Sequence, residues 1–85
     1  MNTRVAVVSI LLETGSSVDK VNALLHEFSP YILGRMGIPY QKRGLNIISV
    51  VMEAPQDAVN TLTGKLDRLP GVSAKTMYSG KIYSE

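Results

Sequence analysis

The chain has 85 residues, enough for one domain and too few for a second of ordinary size. Hydrophobic residues make up 45%, charged residues 19%, and the formal net charge is +2. That composition excludes intrinsic disorder and gives no basis for binding nucleic acid through bulk charge. No cysteine is present, which excludes a disulfide framework, a thiolate metal site and a thiol nucleophile.

Residues 4–13, RVAVVSILLE, form an apolar, β-branched run shorter than a helix needs, and they predict a buried strand. The start of the chain leads into this strand without a secretory cleavage pattern, and no apolar run reaches the roughly 20 residues of a membrane span, so a soluble, cytoplasmic protein is expected. Gly15-Ser16-Ser17 breaks the strand. Ser16 followed by Asp19 resembles a capping box and predicts a helix start. Val18, Val21, Leu24, Leu25 and Phe28 then recur at helical spacing and mark one buried face. Pro30 disfavours the helix beyond that point.

Residues 31–40, YILGRMGIPY, suit an irregular edge strand, because two glycines and Pro39 weaken any central one. Gln41-Lys42-Arg43-Gly44 reads as a four-residue hairpin loop with its last residue left-handed. Residues 45–53, LNIISVVME, form a second strongly apolar strand. Pro55 opens a helix whose buried face is Val59, Leu62, Leu66 and Leu69. Gly64 inside that helix suggests close packing. Pro70-Gly71 ends it, residues 72–77 return as a strand, and a polar tail follows, expected to fray.

The order β-α-β-β-α-β is that of an α+β, ferredoxin-like domain. Right-handed crossovers place the first and third strands at the centre of a four-stranded antiparallel sheet of order 4-1-3-2, with both helices on one face. The two most apolar strands occupy those central places. In a lone two-layer domain their residues should alternate apolar and polar. Here both faces are apolar. A closed barrel would hide the second face but needs more than four strands. A homo-oligomer, dimer or tetramer, is therefore expected, with Val5, Val7, Ile10, Leu12, Ile48 and Val50 as interface candidates.

Chemistry is sparse. His26 is the only histidine, so a metal site in one chain lacks ligands, and His26 is a metal candidate only across a symmetric interface. No nucleophile-base-acid arrangement is visible. Gly15, Ser16 and Ser17 lie between a strand and a helix start, where backbone amides can meet an anion. Arg35 lies between Gly34 and Gly37 in an acid-free stretch running from 28 to 52, and its five donors suit a carboxylate or phosphate: either it pairs with Glu13, Glu53 or an acid of a neighbouring subunit and pins an interface, or it faces an anionic ligand or a partner's carboxylate. The bland reading of this stretch, and of the one from 72 to 84 with Lys75 and Lys81, is edge strands protected by cations.

Four segments carry a family resemblance: Leu24-Leu25-His26-Glu27-Phe28-Ser29; Gly34-Arg35-Met36-Gly37-Ile38-Pro39-Tyr40; Leu62-Thr63-Gly64-Lys65-Leu66; and Gly71-Val72. They resemble the iron-only hydrogenase system regulator family across about residues 3–78, and the Arg-Met-Gly-Ile-Pro block is the most specific part. The resemblance implies a single stand-alone ACT-like domain over residues 1–85, similar in fold to the C-terminal ligand-binding domain of the nickel-responsive repressor. The several histidines and the cysteine that hold nickel in that repressor have no match here, so nickel sensing is not carried over. Its DNA-binding segment has none either. Asp67 stands where relatives often have glycine. The resulting expectation is a non-catalytic, oligomeric regulatory module without a cofactor. It would act through a small anionic or amino-acid-like ligand at Gly15, Ser16, Ser17 and Arg35, or through a regulatory protein partner, with no direct contact to DNA or membrane. The alternative is a metal-linked accessory or maturation factor with His26 at a subunit interface.

Overall fold

A computed structural model describes residues 2–13, 15 and 17–84. The β-branched run folds as β1 (Asn2–Glu13), and the first helical stripe as α1 (Val18–Glu27). A 3-10 turn over Ser29–Tyr31 follows, with Pro30 inside it. Next come β2 (Ile32–Tyr40), β3 (Leu45–Ala54), α2 (Gln56–Asp67), β4 (Val72–Tyr78) and a short β5 (Tyr83–Ser84). Gly44 closes the β2–β3 hairpin at φ 65, with its amide on the Gln41 carbonyl at 3.1 Å. That left-handed backbone is where a residue without a Cβ is cheapest.

All pairings are antiparallel, and the long strands run β2-β3-β1-β4. Read from the β4 edge, that order is 4-1-3-2. The sheet is open, with β2 and β4 at its edges. The strand count differs from the four expected, because β5 adds to the start of β1 through Asn2↔Ser84 and Thr3↔Tyr83. The tail is therefore tied down and not frayed. The Ser79 amide donates to the Val5 carbonyl at 2.9 Å, Arg4 Nη2 donates to the Ser79 carbonyl at 2.9 Å, and the Arg4 guanidinium lies 4.5 Å from the centre of the Tyr78 ring.

Side chains alternate across a strand, and the register sorts them cleanly. Ala6, Val8, Ile10 and Leu12 of β1 share a face with Val50, Met52 and Ala54 of β3 and with Val72 and Ala74 of β4. Helix residues Val21, Leu25, Val59, Leu62 and Leu66 cover that face and complete the core. The opposite face carries Val5, Val7 and Leu11 beside Ile47 and Val51, and no element of the chain covers it. The six residues expected at an interface thus do not share a surface. Val5 and Val7 lie on the open face. Ile10, Leu12 and Val50 are fully buried under the helices, and Ile48 packs against the same core. Two apolar parities look alike in a sequence, and only the docking of the helices tells them apart.

Gly64 also departs from expectation. A Cβ built there would meet only Arg68 Nη2, at 3.9 Å, so no close approach requires a glycine.

Candidate functional site

The helix-side residues of β2 are set by its pairing with β3: Arg35↔Val50, Gly37↔Ile48 and Pro39↔Asn46. Two of the three are small, and a Cβ on Gly37 would meet nothing within 4 Å. A groove therefore runs between α1 and this edge of the sheet. Its upper part, about 280 Å3, is lined by Leu12, Val18, Asn22, Gly37, Pro39 and Ile48 among others. Its lower part, about 500 Å3, is lined by Asn22, Leu25, His26, Ser29, Ile32 and Arg35. Asn22 belongs to both.

Arg35 and His26 meet in the lower part. Arg35 Nη2 donates to Asn22 Oδ1 at 3.3 Å, at the surface. Among the described residues, the sole ion pair is Lys65–Glu27 at 3.7 Å, so Arg35 has neither Glu13 nor Glu53 as a counterion. No acidic residue lines either part of the groove. Four of the five guanidinium donors are uncommitted, and the fifth makes a long bond to a neutral amide. The size suits a small molecule, and the lining combines an apolar floor with a few convergent polar groups.

The other candidates lie elsewhere. Gly15, at φ +87, and Ser17 border a shallow cleft at the start of α1. Ser17 is the residue before the helix, and its hydroxyl donates to the Pro70 carbonyl at 3.1 Å instead of capping the helix. It ties the β1–α1 turn to the α2–β4 turn and is not turned to an anion. Ser16, the expected capping residue, lies outside the described residues. Gly15 and Ser17 therefore share no cavity with Arg35.

Asn22, Ser29 and Asn46 went unnoticed in the sequence. Asn22 and Ser29 extend the flank begun by Val18 at helical spacing, but as neutral residues beside a hydrophobic stripe they read as solvent-facing. The His26 imidazole makes no hydrogen bond or ion pair among the described residues, and no cluster of three metal-ligating side chains occurs among them. A metal at His26 would need its remaining ligands from further subunits.

Residues 4–76 match the profile of the TM1266-like proteins, described as "Iron-only hydrogenase system regulator, putative". The chain belongs to this family. The match spans the Arg-Met-Gly-Ile-Pro block, α1 and α2, the segments on which the resemblance rests. The fold is similar to that of the uncharacterized protein TM1266 from Thermotoga maritima, with a TM-score of 0.86 and 35% sequence identity over 89% of this chain and 96% of that one. A comparison with curated proteins finds no match. The family is thus described as one of regulators. No helix among the described residues is long and apolar enough to cross a membrane.

Proposed function

We propose that this family member is a non-catalytic, ACT-like regulatory module of an iron-only hydrogenase system. It acts in the cytoplasm as an oligomer and binds a small carboxylate or phosphate anion in the groove between α1 and β2. The observation that carries this reading is Arg35, a guanidinium without a carboxylate that faces a groove it shares with His26, Asn22 and Ser29. A cation held over an apolar floor with spare donors is a receptor for an anion. A structural ion pair within the chain would place an acid beside Arg35, and none lies there among the described residues. The groove's one hydroxyl, Ser29, shares the lower part with His26 but makes no hydrogen bond to it among the described residues, and an activated nucleophile needs such a bond to its base, so catalysis is disfavoured.

Calorimetric titration with inorganic phosphate, acetate, glutarate and glutamate tests the site. At least one should bind with a one-to-one ratio per chain. Arg35→Met keeps the length of the side chain and removes the charge. It should weaken binding about tenfold to a hundredfold, because a hydrogen bond to a charged group contributes roughly 1.5–3 kcal/mol, with no loss of folded content by circular dichroism. Binding that is unchanged in Arg35→Met would rule out this groove.

A further inference from the structure

We propose that the open face of the sheet is covered by a second copy of this chain, packed face to face. The proposal rests on the oligomeric reading above and assigns it a surface. The face is built in rows across the strands. One row is Ile38–Ile47–Leu11–Ser73, and another is Gly34–Val51–Val7–Met77. Between them lies Met36–Ser49–Ser9–Lys75. Leu11, Met36, Ile38 and Met77 are 46%, 59%, 49% and 68% exposed. Val5, Val7, Ile47 and Val51 are half-buried beneath them.

The face is of the order of size that a stable pair needs. Four strands about 4.8 Å apart and eight residues long present a flat footprint of roughly 500 Å2. The accessible area of such a corrugated face is larger than its footprint, and a standard interface takes about 800 Å2 from each partner. The whole chain exposes 5401 Å2, against roughly 5,000 Å2 for a compact monomer of 9.3 kDa.

The chemistry of the face selects a second copy over other occupants. Its centre is neutral, and its rim carries both signs, with Lys75 at the β4 edge and Glu13 and Glu53 at opposite ends of the central strands. Such a surface has no net attraction for an anionic lipid layer or a strongly charged protein. The Ser9 and Ser49 hydroxyls sit opposite each other at the middle. Neither makes a side-chain hydrogen bond among the described residues. Burying them under apolar atoms would leave polar groups unsatisfied. A hydroxyl both donates and accepts, so the same serine row on a second copy satisfies them. Two-fold pairing of one patch with itself is also the commonest geometry of homo-oligomers.

The parent should sediment at twice 9.3 kDa or a higher multiple at about 50 µM. Leu11→Lys and Ile38→Lys place charges where the single chain already exposes the side chain, so each should drop to monomer mass and keep its circular dichroism. Ile82→Lys, at an exposed site between β4 and β5 and outside the rows named above, should leave the mass unchanged. The chain contains no cysteine, so Ser9→Cys, a near-isosteric change, adds a single thiol. Under mild oxidation it should cross-link copies faster than Ile82→Cys, although both residues are exposed when the chain is alone. A monomeric parent would overturn the proposal. So would assembly that survives both lysine variants, or faster cross-linking through Ile82→Cys. A parent that assembles through this face yet binds none of the tested anions removes only the groove reading, and a monomeric parent that binds phosphate removes the oligomeric reading together with this surface and leaves the groove.

Discussion

The carboxylate of Asp67, the last residue of α2, accepts the Ala74 backbone amide at 3.0 Å. Ala74 lies on β4, an edge strand whose outer amides have no neighbouring strand, and Asp67 supplies the acceptor that a further strand would have given. The family resemblance marked this position as unusual but attached no role to it. Replacing Asp67 by alanine should lower stability by about 1 kcal/mol, since water can reach an edge amide and recover part of the loss. That corresponds to a fall in Tm of roughly 4–8 °C. Asp67→Asn keeps an acceptor and should fall by less, and thermal unfolding of the pair checks both. Arg35 shows how far single residues could be read. Its charge between Gly34 and Gly37 singled it out before any geometry was known, as either an interface ion pair or a ligand-binding group. Its contact with Asn22 was not legible, because a neutral amide 13 positions away leaves no trace in a charge pattern. Ser17 was read with Gly15 and Ser16 as part of an anion-binding turn, and only the approach of Pro70, invisible in the sequence, shows where its hydroxyl goes.

Among the elements, β1 and β3 were the most legible, because β-branched runs bounded by glycine leave little choice. Their two faces were not, since nothing in Val5–Leu12 or Leu45–Met52 says which parity meets a helix. The short β5 was not legible either. Two residues after a polar loop carry no period, and β5 exists because the first residues of β1 outrun β4 and leave their amides and carbonyls to the tail. Helix α2 was readable in its stripe and misread at Gly64. The space there is open, so the glycine only loosens the helix. Gly64→Ala should therefore stabilise the fold by up to about 1 kcal/mol and raise Tm by roughly 4–8 °C, as read by differential scanning calorimetry. A close helix–helix contact at this site would produce the opposite sign.

At the scale of the whole molecule, charge is balanced at +2 and spread over both layers. Sequence-specific DNA binding draws on a concentrated basic surface. The purified protein should therefore give no sequence-selective retardation of promoter fragments at physiological salt, and any effect on transcription should pass through a partner. The position of β1 has a kinetic corollary. This strand is made first, yet it pairs with β3, β4 and β5, which start 43, 70 and 81 residues further along the chain. At roughly 5–20 residues per second, β1 waits about 4–14 s for β4 after it leaves the ribosome. In that interval an apolar ten-residue segment has neither its neighbours nor its covering helices. Folding must close its longest loops before the most hydrophobic strand is protected, which predicts refolding on the millisecond-to-second scale of high-contact-order domains. It also makes the nascent chain, more than the finished one, the state in which aggregation begins.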